Sequence, residues 1–544
     1  MFASDARSRP IGGGDRHAAG ANDWQPRRAA PVRAGDRALL GATAGFGVTG
    51  AVAFVDFWFR AEHVANPGMF CLLSLPLGFG LCRLVFSCFC HLGLRQPPEV
   101  AAPRGLRVAV FTTAAPGEPL AMFEPTLRAL ERMRYPHTTY LLDGTGDPAY
   151  RELAFQYGAR WLDMTGVGGA KAGKVNRALE LTDEDYVLVL DPDHIPFPEF
   201  LDRVLGHFAD ERVGFVQVAQ AYYNQGRSGI ARAAAEQTYG FYAATQMGLH
   251  GHGAAVAIGA NCTFRRAALD SIGGHAVGLA EDLLTSLRLH ASGWRSVYVP
   301  EVLSRGLAPE DARAYFEQQL KWAAGGVDLL LGELPRVMRR LDWRQRFAYA
   351  SIGTYYGLGL GSASYLVLPY LALALGVVPA RVQLADFASF AAPGLVAALA
   401  LHVHGQRFFC DREREQGFHW RGMLLKHLCW PVYVAGAIRA AAGALVEYVP
   451  TRKQRGAAGA PAFLRPHALA LLVFTAGAGG SVAWRLHTNT LPELWSSSER
   501  FWTMLAFAAL SAAVTGCGLL WASDEQGPAR ADAWTEISRG EGGT

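Results

Sequence analysis

The apolar positions fall into long unbroken runs at both ends of the chain and short ones in the middle. After Arg37 the run ALLGATAGFGVTGAVAFVDFWF is long enough to cross a bilayer, and residues 69–90 form a second such run after a short polar turn. Together they predict a transmembrane hairpin over residues 37–92. From 104 to 345 the texture changes to short apolar runs such as LRVAVFT, TTYLLD and DYVLVLD, alternating with charged helical stretches, which predicts an α/β domain. Strands that are apolar throughout imply a sheet covered on both faces, with ligands bound beyond the strand carboxyl ends. Apolar character returns after Arg346. Residues 346–404 predict an interfacial segment and two spans, near 354–377 and 387–404, and residues 467–521 predict two more, near 467–486 and 502–521.

The stretch 422–446 is apolar enough to span, but Lys426, His427 and Arg439 interrupt it. Charge at mid-bilayer is expensive, so it reads as an amphipathic interface helix within a cytosolic segment, 405–466. Six spans result. The Arg-rich segments 407–421 and 452–465 and the N-terminal tail then lie on one side, as the positive-inside rule requires. Residues 1–36 have no apolar period and read as a disordered tail rather than a signal peptide, and residues 522–544 as a short cytosolic tail.

Composition agrees with a membrane protein carrying one soluble domain: 51% of residues are hydrophobic and 18% charged. A net charge of +4 gives no broad basic face for nucleic acid. The eight cysteines form no paired CxxC clusters, which excludes a structural zinc site and a disulfide framework. Cys88 and Cys90 read as small buried hydrophobes. Arg83, inside the second span, has two readings: lining a polar path, or snorkelling to the near interface, which is preferred.

The strongest local chemistry is DYVLVLDPDHIP, where an apolar strand delivers Asp191 and Asp193 to one turn. Two carboxylates there suit a divalent cation, which reverses the sign of the site and admits a nucleoside diphosphate. Four other segments accompany it in order. TTYLLDGTGD ends a strand at Asp143, and GGAKAGKVNRAL places Lys171 and Lys174 just before a helix. GLAEDLLTSL starts a helix with Glu281 and Asp282, and YFEQQLKWAAGG supplies Gln318, Lys321 and Trp322. Singly each has a bland reading: a turn residue, a solvated charge, an N-terminal helix acid, a core indole.

As an ordered set, Asp143, Lys171-Ala172-Gly173, Asp191-Pro192-Asp193, Ala280-Glu281-Asp282 and Gln318-Gln319-Leu320-Lys321-Trp322 resemble the processive family 2 glycosyltransferases of the bacterial cellulose synthase type. The resemblance covers roughly residues 105–345. It implies a GT-A-type α/β glycosyltransferase domain inserted between transmembrane helices, with Mg²⁺ or Mn²⁺ held by Asp191 and Asp193. It further implies that Asp282 is the base that deprotonates the acceptor hydroxyl in a single inverting displacement. Gln318, Lys321, Trp322 and Glu281 then serve the acceptor and diphosphate, the indole stacking on the acceptor sugar. Asp143, Lys171, Asp191, Thr113 and Glu118 would contact the nucleotide. Tyr448, Thr451 and Lys453 in YVPTRK look like a gating loop, although a basic cytosolic loop needs no such role. Gln217 falls where the family has residues near the acceptor path.

Three departures stand out. Lysine replaces arginine at 321, which keeps the charge and loses the bidentate fork. Asp143 lacks an acidic neighbour, and the nucleotide-binding opening is altered to FTTAAPGEP. The implied activity is polymerisation of a β-linked polysaccharide, cellulose-like first, from a UDP-sugar such as UDP-glucose at the cytosolic face of the inner (plasma) membrane, with passage of the growing chain through the bilayer. An accessory export or regulatory subunit is a further expectation, and the short tail leaves no room for an added regulatory domain. Transfer of one sugar to a lipid carrier, or a chitin- or hyaluronan-like synthase, are alternatives with the same cleft. A degenerate transport subunit would be expected to lack the acids that are present here.

Overall fold

The computed structural model describes residues 25–444, 460–489 and 498–524. Tyr448, Thr451 and Lys453 lie outside them. At the centre is a nine-stranded mixed sheet: β1 (Arg27–Arg28), β2 (Val108–Ala114), β3 (Thr138–Asp143), β4 (Arg160–Asp163), β5 (Tyr186–Val189), β6 (Ile195–Pro196), β7 (Val213–Tyr222), β8 (Cys262–Arg265) and β9 (Arg295–Gly306). Their order is β1-β9-β7-β8-β5-β2-β3-β4, with β6 paired to β9. The pairs β5–β2, β2–β3, β3–β4 and β7–β9 are parallel; β8 runs antiparallel to both β5 and β7.

Period-two alternation places Val108 and Val110 of β2 in one apolar layer, with Phe123, Leu141 and Leu188, and Ala109 and Phe111 in the other, with Leu142 and Phe264. Both layers are buried, which is why the strands are apolar throughout. The sheet therefore positions whatever leaves its strand ends, as the sequence predicted.

Among the described residues, six helices are long and apolar enough to cross a membrane: Ala34–Trp58, Pro67–Leu92, Trp343–Leu375, Leu384–Phe408, Leu464–His487 and Phe501–Ser523. The first and fourth approach closely at Gly50, where a Cβ would lie 2.6 Å from that of Pro393, small-residue packing that suits helices in lipid. The third starts earlier than 354, with Asp342 and Gln345 forming a capping box before Trp343.

Two expectations are corrected. The tail is not disordered to residue 36: Arg27 pairs with Val302 of β9, and the first long helix begins at Ala34. Two arginines give no apolar signal, so only the tertiary partner reveals β1. Arg83 Nη1 donates to the Ser351 carbonyl at 2.8 Å and its Cζ stands over the Phe86 and Tyr355 rings. The segment 422–446 is two helices, Trp420–Leu428 and Trp430–Ala441, rather than one. They dock on the α/β domain: Tyr433 Oη donates to Gln319 Oε1 at 2.9 Å, and Gly422 N donates to Glu236 Oε2 at 3.0 Å. Cys88 and Cys90 are buried, as expected.

Candidate active site

The carboxyl edge of the sheet collects most of the singled-out residues. Asp191 and Asp193 follow β5 in a turn closed by His194 N donating to Asp191 O at 3.0 Å, and Thr126 Oγ1 braces it by donating to Pro192 O at 2.8 Å. Asp191 is half-buried, whereas Asp193 is 1% exposed. His194, 3% exposed, adds a ring nitrogen so that Asp191, Asp193 and His194 each offer one ligand atom within 4.8 Å of the others. Its Nδ1 stands 3.1 Å from Asp193 Oδ1. Sequence reasoning missed His194, although a histidine directly after paired carboxylates was the available signal.

Lys171 and Lys174 lie inside the helix Ala170–Leu181, not before it; Gly169, at φ +83, turns the chain into its first residue. Lys171 crosses the cleft. Its Nζ donates to Asp191 Oδ1 at 3.0 Å and to Gly259 O at 2.5 Å, and lies 3.5 Å from Glu281 Oε1. Lys174 is buried, donates to the Ala114 carbonyl, and has its pKa lowered by burial, against the opposing pull of Glu118 and Asp143.

Glu281 and Asp282 open the helix Glu281–Ala291, where N-terminal peptide dipoles favour carboxylates. Asp282 Oδ1 accepts from Leu283 N at 2.8 Å. Burial first, and the Glu281 carboxylate second, push the Asp282 pKa up to about 7. Facing it is Gly259, at φ +82, where a Cβ would sit 3.4 Å from Asp282 Oδ2 and 3.5 Å from Lys171 Nζ. That loop hangs on Gln217, fully buried, whose Nε2 donates to Ala260 O at 2.9 Å and whose Oε1 accepts from Ile258 N at 3.0 Å. Gln217 is thus a brace rather than a wall of an acceptor path.

The helix Ala312–Asp328 presses on the same corner. At Gly325 a Cβ would meet Ala280 at 2.9 Å, so Lys321 and Trp322 lie about one helical turn, and Gln318 about two, from the contact with the residue before the acidic pair. Lys321 is 9% exposed and Trp322 38%; Gln318 is half-buried.

Asp143 closes β3. Only 1% exposed, its carboxylate accepts from Thr145 N at 2.8 Å, Thr145 Oγ1 at 2.6 Å and Trp161 Nε1 at 2.9 Å, ordering its own turn. Thr113 is 8% exposed at the end of β2, and Glu118 Oε2 caps Ala115 N at 2.8 Å.

Residues 186–402 match the family model described as glycosyl transferase family group 2. Over 245 residues the chain is 31% identical to the cellulose synthase catalytic subunit [UDP-forming] of Komagataeibacter sucrofermentans, covering 44% of this chain and 32% of that protein. Over 338 residues it is 28% identical to the corresponding subunit of Xanthomonas axonopodis pv. citri, covering 57% and 46%. The chain thus aligns with less than half the length of either relative. A mannosyltransferase from Pyrobaculum calidifontis, solved with GDP-Man and Mn²⁺, is similar at TM-score 0.45 and 18% identity, over 68% of this chain and 99% of that one. The family match over residues 186–402 and the partial cellulose synthase relatives support a family 2 glycosyltransferase domain similar to that of cellulose synthases.

Proposed function

We propose that the chain is a membrane-integrated inverting hexosyltransferase that builds a β-linked polysaccharide, a cellulose-like glucan first, from a UDP-sugar at the cytosolic face of the inner membrane and passes it across the bilayer. The observation that carries the reading is the bridge of Lys171 between Asp191 and Glu281, next to Asp282, which joins the end of the cleft suited to a diphosphate to the end suited to a base.

In this reading Asp282 takes the proton of the acceptor hydroxyl, whose oxygen attacks the anomeric carbon from the face opposite the diphosphate, inverting it. A pKa near 7 matches a general base working close to neutral pH. Trp322, 38% exposed, stacks on the acceptor sugar, and Lys171 and Lys321 supply positive charge beside the leaving group. Asp191, Asp193 and His194 would hold Mn²⁺ or Mg²⁺: two hard carboxylate oxygens with an imidazole suit either ion, and the buried His194 Nε2 has no hydrogen-bond partner among the described residues. Such an ion, when bound, stabilises the departing diphosphate. Arginine-rich segments on one side of the spans support a cytosolic catalytic domain.

The test incubates the chain in proteoliposomes with radiolabelled UDP-sugars and Mn²⁺ or Mg²⁺, comparing wild type with Asp282→Asn. The expected result is polymer from one donor, UDP-glucose first, abolished in the variant. Equal incorporation by both proteins overturns the assigned base, and a product of single-sugar length on an extractable lipid replaces polymerisation with carrier glycosylation.

A further inference from the structure

The segment between the fourth candidate span and the interface helices reads in sequence as a basic cytosolic loop, yet it buries itself in the catalytic domain. Phe408 is 0%, Phe409 3% and Asp411 4% exposed. Asp411 Oδ2 accepts from Nη2 of Arg305 in β9 at 2.8 Å, and Arg305 is itself 2% exposed. Arg414 Nε stands 4.0 Å from the same oxygen. At its other end the segment is tied to the start of the first long helix, Arg407 Nη1 lying 3.3 Å from Asp36 Oδ1. One short stretch of chain therefore joins two membrane helices to the interior of the sheet.

Where it joins is informative. Ser304, Arg305 and Gly306 end β9 and touch both walls of the cleft. Ser304 Oγ donates to Asn261 Oδ1 at 2.6 Å, and Asn261, at φ +58, belongs to the loop that carries Gly259 beside Asp282. Arg305 pairs with Ile195 of β6, the residue directly after His194. Gly306 lies flat under the His194 ring, since a Cβ there would be 2.4 Å from it. The three residues thus set the spacing between the acidic turn and the base loop, and Arg305 carries the ion pair that anchors them to the membrane side.

We propose that Arg305, held by Asp411, is a positioning residue that fixes the Asp193–His194 turn against the Asn261 loop, so that the geometry of the cation site depends on where the segment after the fourth span sits. The inference rests on the reading of Asp191, Asp193 and His194 as ligands. A guanidinium this deeply buried is costly without its carboxylate, so β9 and the segment hold one relative position or lose the pair. Groups that orient metal ligands from behind typically change metal affinity by about 10–100-fold when removed.

The experiment titrates the full chain in nanodiscs with Mn²⁺ in the presence of UDP, read by electron paramagnetic resonance, and records the thermal midpoint of each variant. Removing one partner leaves a buried charge, so the main variant is the double Arg305→Met, Asp411→Leu, which removes both and keeps volume. Expected are a thermal midpoint within a few degrees of wild type, a Mn²⁺ affinity lower by about tenfold, and less than about threefold loss for Arg305→Lys. The neutral, near-isosteric double Arg305→Gln, Asp411→Asn gives the same fall in affinity and decides the matter if the first double variant does not fold. A folded variant that binds Mn²⁺ as tightly as wild type overturns the positioning role alone. A wild type that binds no Mn²⁺ overturns the ligand reading and this inference with it.

Discussion

Asp282→Asn separates charge from shape at the proposed base. The new amide oxygen can still accept from Leu283 N, which Asp282 Oδ1 does at 2.8 Å, so the substitution removes the ionisable proton and little else. In the folded chain the carboxyl titrates at about 7 against an ordinary 3.8, because burial and Glu281 disfavour the anion. That raised value means native stability is fully present below the unfolded pKa and is lost as pH rises toward the folded one, since the unfolded chain releases the proton first. The whole shift corresponds to roughly 4 kcal/mol at about 1.4 kcal/mol per unit. Discounted for the solvent reaching this half-buried side chain, about 1–2 kcal/mol is expected. The Asp282→Asn variant escapes the penalty, so its thermal midpoint in nanodiscs should exceed that of wild type by about 2–6 °C at pH 8. The gap should open between pH 4 and 7 and level off above. Transfer should fall by about 10²–10⁴-fold in the variant, while wild-type kcat/KM rises with pH and reaches half its plateau near 7. A gap independent of pH, or a variant less stable than wild type at pH 8, refutes the electrostatic argument; full transfer by the variant refutes the assignment of the base.

Lys171→Met leaves Asp191, Glu281 and Asp282 without the cation they share, so the midpoint of the pH–rate profile should move upward by about one unit and transfer should drop at least ~100-fold, read from initial rates. Trp322→Ala should leave the thermal midpoint within ~2 °C because the indole is already 38% exposed, but shorten the product or raise the acceptor KM, measured by chromatographic sizing. Gly259→Ala combines φ +82 with a methyl 3.4 Å from Asp282 Oδ2; it should cost about 1 kcal/mol in thermal unfolding and reduce kcat. Chelation by EDTA should abolish transfer, and added Mn²⁺ or Mg²⁺ should restore it, whereas Ca²⁺, larger and less exacting in geometry, should restore less.

The parts of the fold visible in the sequence are those whose pattern is local. LRVAVFT and DYVLVLD declare β2 and β5 because both faces of the sheet are covered, and the long apolar runs declare the six membrane-length helices. The two-residue strands β1 and β6 escape because each owes its existence to β9, far away in the chain. His194 is hidden because its relevance depends on a turn that brings it back on Asp193, and Gln217 misleads because its partners lie in the loop 258–261. The segment 405–421 misleads most: a run of arginines and acids reads as solvated until Arg305 and Asp36 are seen to pair with two of its charges. Asp143 is legible as a strand-end acid, but the three donors that satisfy it are not.

The reversed strand β8 has a consequence for how such an enzyme can diversify. Both of its neighbours, β5 and β7, deliver their chain outward at the carboxyl edge, while β8 brings its chain inward there, and ladder pairing begins only at Cys262. The wall opposite the acidic turn is therefore an entering segment, suspended by Gln217 and Ser304 rather than by sheet hydrogen bonds alone. Its contour can change by substitution at the half-buried Ile258 without disturbing the register of any strand. The shape of one face of the cleft can thus drift while the acidic turn on the other stays fixed.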